Sequence, residues 1–69
     1  MNNKGFYEGR IEFILANHDF STREQMLGMV LNAAMSDRSL SVSDLLSVIS
    51  QIEEAHNKSL EANFNDGWN

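Results

Sequence analysis

No cysteine and no proline occur in the 69 residues. Without cysteine the chain has no disulfide framework and no thiolate zinc site. Basic charge is also scarce. Five Lys+Arg face ten Asp+Glu, for a formal net charge of −5. An electrostatic nucleic-acid binder needs the opposite balance. No apolar run approaches the ~20 residues that span a bilayer, and Met1 to Arg10 lacks the apolar region of a signal peptide. A cytoplasmic protein that neither enters a membrane nor binds nucleic acid directly is the expectation.

The chain reads as a single domain over residues 1–69, small enough to have trouble stabilising itself. Below ~70–80 residues one core rarely supplies more than ~3–5 kcal/mol. With disulfides excluded, regular helix packing and self-association remain. The acidity is uneven: residues 1–23 are balanced, whereas residues 24–69 carry seven acids against Arg38 and Lys58.

Periodicity predicts an all-α fold, a three-helix mini-bundle without strands. The first helix is expected near Phe6–Asn17, after a frayed start over 1–5, with Tyr7, Ile11, Ile14 and Leu15 on one face. Ser21-Thr22-Arg23-Glu24 has the form of a capping box and opens a second helix over Ser21–Ser36. Its stripe is Leu27, Val30, Leu31 and Ala34, widened by Met26 and Met29, so this helix is expected to be central. After the connector SDRSLS, Ser41 or Ser43 caps a third helix over Ser41–Ala62. There Val42, Leu45, Ile49, Ile52 and His56 occupy successive heptad a and d positions. The short connector makes helices 2 and 3 an antiparallel hairpin, with helix 1 packed across it. Residues 63–69 are turn-rich. They form either a mobile tail or a segment that folds back to cover a core edge with Phe64 or Trp68.

Few constellations carry chemistry. Glu53 and His56 stand at the Glu-x-x-His spacing of helical carboxylate metal sites; a homodimer would double the pair and Glu12 would add a ligand. The plainer reading makes Glu53 solvent-facing and His56 a polar interface residue. Six serines between Ser36 and Ser50 lie near His and Asp residues, but no nucleophile elbow surrounds any of them. Caps and solvated helix positions explain them, and no enzyme or cofactor is expected. Gly28 sits alone inside helix 2, where it either permits a close helix approach or is merely tolerated. Asn57-Lys58-Ser59 fits a glycosylation acceptor, which has no meaning without secretion. A helix-turn-helix would place Asp44, Glu53 and Glu54 against phosphates, with only Lys58 to offset them. An acidic DNA-mimic role rests on Glu53, Glu54, Glu61 and Asp66. The favoured expectation is a homodimer that binds another protein. Its interface residues are Met26, Met29, Val30, Ile49, Ile52, Glu53, His56 and Trp68, because Met and Trp suit hot spots on irregular partner surfaces.

Glu24, the pair Leu27-Gly28, the apolar helix after it, the short polar connector and Leu45-Leu46-x-x-Ile49-x-x-Ile52-Glu53 together resemble the small enterobacterial biofilm-development and acid-resistance regulators of the YmgB/AriR kind. The resemblance covers less than half of the chain. The connector is shorter here, and the long apolar C-terminal extension of that family is missing. The resemblance implies a helical homodimer that docks on a response regulator or another regulatory protein. In general style the chain is also similar to early accessory proteins of lambdoid phages.

Overall fold

The computed structural model describes residues 3–67. They form three helices, α1 (Lys4–Leu15), α2 (Phe20–Ser36) and α3 (Val42–Gly67), and each packs against both of the others. No strand occurs among the described residues. The sides of the three helices that turn inward share one core: Tyr7, Ile11 and Ile14 from α1, Leu27, Val30 and Ala34 from α2, and Val48, Ile52 and Ala55 from α3. Leu15, Met26, Leu31, Leu40 and Leu45 pack around it, half-buried. The face expected for α1 is the one buried, and three of the four stripe positions expected for α2 are fully buried. Since all three pairs of helices are in contact, α2 is not a central helix with the others around it.

Helix boundaries differ from expectation where side-chain hydrogen bonds compete with propensity. α1 begins at Lys4, inside the stretch expected to fray. Its start is fixed from outside, because Asn3 Nδ2 donates to Asp37 across the fold at 2.9 Å. At α2 the cap is Asp19, not Ser21. The Asp19 carboxylate accepts the Thr22 amide at 3.0 Å and the Thr22 hydroxyl as well. A carboxylate is a stronger acceptor than the serine hydroxyl and faces the helix N-terminus with negative charge. Glu24, freed from the capping box, reaches His56 on α3 instead. Ser41 does cap α3, its Oγ accepting the Asp44 amide at 3.1 Å.

The largest departure is on α3. It continues to Gly67, through residues expected to form a turn-rich tail. With no proline to stop it, each added residue gains one backbone hydrogen bond at low propagation cost. Phe64 is exposed and does not fold back over the core. Trp68 and Asn69, like Met1 and Asn2, lie outside the described residues. Of the heptad positions expected to be buried, only Ile52 is; Leu45 and Ile49 are half-buried, and Val42 and His56 are exposed. The buried line is Val48, Ile52, Ala55 and Ser59. α3 lies against two helices at once, so its inward line points between them, and small Ala55 and Ser59 fit there.

At 12 and 17 residues, α1 and α2 are far shorter than the 26-residue α3. At 1.5 Å per residue α3 is about 39 Å long, and the molecule measures 44 × 16 × 16 Å. Every residue from Leu60 to Phe64 is exposed.

Candidate interaction surfaces

Two polar hubs lock the helices in register. Arg23, one turn before Leu27 on the buried face of α2, is itself buried. Its Nε donates to Ser59 Oγ at 2.7 Å, its Nη2 to the Ser59 carbonyl at 3.1 Å and its Nη1 to the Asn17 carbonyl at 2.9 Å. The guanidinium lies 5.8 Å from the Phe20 ring centroid. One side chain therefore joins the α1–α2 connector, α2 and α3, and its fork geometry satisfies three acceptors. At the other end Asp37, just past α2, accepts the Tyr7 hydroxyl at 2.7 Å, Asn3 Nδ2 at 2.9 Å and the Ser39 amide at 2.8 Å. The Tyr7 hydroxyl first, then Asn3 and Ser39, hold the Asp37 carboxyl well below the usual carboxylate range. The same hydrogen bond, with burial and the Asp37 charge, raises the Tyr7 phenol above its ordinary value. Neither hub had been singled out in the sequence as a binding group. Arg23 was nonetheless visible at i−4 from Leu27, on the same stripe.

Around this locked body the three interhelical faces differ in chemistry. Between α1 and α3 lies a cavity of about 200 Å³ lined by Glu8, Glu12, Gln51, Glu54 and Lys58 above Ile11, Leu15 and Ala55. Gln51 Nε2 donates to Glu8 at 2.8 Å, and Lys58 Nζ lies 3.4 Å from Glu54. The face is acidic, with its charges partly tied down. Between α1 and α2 is a cavity of about 180 Å³ lined by Phe6, Tyr7, Arg10, Met29, Val30 and Ala33. It is mostly apolar, with Arg10 at its rim. Phe6, Arg10 and Phe13 share one side of α1 at i, i+4 and i+7, and Phe6, Phe13 and Met29 are all more than 60% exposed.

The third face runs along α3 beside α2. Val42, Leu46, Ile49, Glu53, His56 and Leu60 follow alternating four- and three-residue steps, and Phe64 falls one turn beyond Leu60. Val42 is 75% exposed, Leu46 61%, Leu60 42% and Phe64 62%. His56 Nδ1 pairs with Glu24 of α2 in the middle of this row. On α2, Leu31 and Met35 share the side that carries Glu24, at i+7 and i+11 from it.

The expected site residues scatter over these faces. Val30 and Ile52 are core residues, covered by the chain's own helices. Met26 is half-buried against the core, and Met29 borders the α1–α2 cavity. Ile49, Glu53 and His56 fall together on the α3 row, while Trp68 lies outside the described residues. Glu12 borders the acidic α1–α3 cavity, apart from the Glu24–His56 pair. No group of three His, Asp or Glu side chains suited to a metal ion occurs among the described residues. Gly28 makes no close approach: a Cβ there would meet nothing within 4 Å. Among the described residues no helix is long and apolar enough to cross a membrane. No protein-family model, curated protein or solved structure matches this chain.

Proposed function

We propose that this chain is a non-enzymatic regulatory protein of the cytoplasm that self-associates as a homodimer and binds a second protein, a transcription or signalling regulator. The observation that carries the reading is the placement of its exposed apolar side chains. Phe6 and Phe13 share one side of α1, with Met29 lining the α1–α2 cavity beside Phe6, and Val42, Leu46, Leu60 and Phe64 run along α3, while Met35 is exposed on α2. Single exposed apolar residues need no explanation, but aligned rows on a small body mark contact surfaces. The accessible area points the same way. It is 4947 Å², against roughly 4,400 Å² for a folded monomer of this mass. The Arg23–Ser59 and Glu24–His56 contacts join the start of α2 to the far half of α3, which supports an antiparallel α2–α3 pair as the frame for both surfaces. The α1–α2 cavity, apolar with a cationic rim, suits the apolar face of an amphipathic helix bearing an acidic residue.

Light scattering over a wide concentration range tests self-association. A dimer at low micromolar protein is expected, and a monomer at several hundred micromolar overturns that half of the reading. The partner half is tested with Phe6→Asp/Met29→Asp. A protein retained by the wild-type chain and lost by this variant, with the dimer mass unchanged, is the expected result. Equal retention by both removes the α1–α2 cavity as the binding face.

A further inference from the structure

The row along α3 has an internal symmetry. Val42 and Phe64 lie eleven residues either side of Glu53, and Leu46 and Leu60 lie seven either side. All four are exposed. The four exposed apolar members of the row therefore pair off about Glu53, as an antiparallel two-fold contact requires, while Ile49 and His56 fall opposite Asn57 and Ser50. We propose that a second copy of this chain docks antiparallel along α3, with the two-fold axis at Glu53. This rests on the homodimer reading above and adds which surface is used and in what register.

In that arrangement Val42 of one copy meets Phe64 of the other, and Leu46 meets Leu60. Ile49 flanks the centre. The four- and three-residue alternation is the spacing of a coiled-coil seam, here on a side of α3 distinct from the Val48–Ile52–Ala55–Ser59 line that faces the core. The centre is polar. Glu53 meets Glu53, and His56 stands one turn along, held on its own side by Glu24. A polar interruption in an apolar seam fixes register at a cost in stability. Sliding the contact by a heptad would press Glu53 against Leu46 or Leu60. The exposed end of α3 also gains a role, because Leu60 and Phe64 then pack on the other copy.

The size is just sufficient. From Val42 to Phe64 the row is about 33 Å long. Leu31 and Met35 widen it onto α2, so two helices, each ~10 Å across, contribute. α2 flanks the row only between Glu24 and Met35, so the footprint is roughly 500 Å² per copy, or ~1,000 Å² in total, at the threshold of a specific interface.

The absence of cysteine allows a direct test. Glu53→Cys, Lys58→Cys and wild type are compared by mass in solution, then both variants are oxidised at low micromolar concentration. Glu53 is exposed, so the substitution leaves the protomer core intact, and circular dichroism checks this. The expected result is rapid, near-complete disulfide dimer for Glu53→Cys, because only a residue on the axis meets its own copy within the ~7 Å Cα separation a disulfide spans. Lys58→Cys, on the acidic α1–α3 face, is expected to stay uncrosslinked. Leu60→Asp is expected to weaken the wild-type dimer at least a hundred-fold. Glu53→Gln is expected to tighten it several-fold at low salt, less at high salt. A wild-type dimer whose Glu53→Cys variant crosslinks no faster than Lys58→Cys, with Leu60→Asp still dimeric, overturns this register and leaves the homodimer reading standing. A wild-type monomer throughout overturns both.

Discussion

Arg23 shows how much one side chain can decide in so small a body. A buried guanidinium is costly unless its hydrogens find acceptors, and here Ser59 and the Asn17 carbonyl take three of its five. Ser59→Ala removes one acceptor and leaves a buried N–H unpaired, for an expected loss of about 1–2 kcal/mol in urea unfolding. Arg23→Lys cannot reproduce the fork and is expected to cost at least as much. At the opposite end the Tyr7–Asp37 hydrogen bond gives a pH signature. The Asp37 pKa is lowered by folding, so its contribution is fully present above the unfolded carboxyl value of about 4 and is lost as pH falls below it. The Tyr7 pKa is raised, so its contribution is present below about pH 10 and is lost as pH rises beyond. Thermal melts from pH 2 to 11 are expected to fall at both ends. Asp37→Asn should flatten the acid limb and Tyr7→Phe the alkaline one; limbs unchanged in these variants would remove the hydrogen bond as their source.

At the scale of the element, caps and glycines set what each helix contributes. The Asp19 cap of α2 is expected to outweigh Ser21. Asp19→Ala should lower Tm, while Ser21→Ala, at an exposed position without a capping bond, should leave it nearly unchanged. Gly9, on the solvent side of α1, has open space where a Cβ would go. Gly9→Ala is expected to add about 0.5–1 kcal/mol, raising Tm by roughly 2–8 °C in a domain of this size. No gain would mean that α1 is held by its packing on the core alone. Helix existence and order were legible in the sequence, because apolar residues at three- and four-residue steps appear in all three segments. The cap of α2 was not, since Asp19 and Ser21 both satisfy the local pattern and only the Asp19–Thr22 geometry chooses between them. The end of α3 was not legible either, because its asparagines suit a turn as well as a weak helix.

For the whole molecule, the acidic α1–α3 face and the net charge of −5 should keep it off nucleic acid. A gel shift at low salt is expected to show no retardation, and clear retardation would contradict this charge argument. The apolar surfaces make the opposite prediction for protein partners. If the proposed self-association uses the α3 row, Leu46→Asp should reduce the mass in solution without lowering helix content, because its target is 61% exposed.

Composition and periodicity by themselves determined the helical class, the inward face of α1 and most of the inward face of α2. A helix with one well-separated apolar stripe has only one way to bury it. They also determined what the chain could not use, disulfides above all. α3 carries two apolar lines, Val48–Ile52–Ala55–Ser59 and Val42–Leu46–Ile49–Leu60, and the second is the greasier one. The heptad reading took Val42, Leu45, Ile49, Ile52 and His56 as one line, which straddles the two. The tertiary structure decided otherwise, because α3 must fit between two helices at once, and the narrow space there takes Ala55 and Ser59. Burying the small residues inward is what leaves the large ones outside.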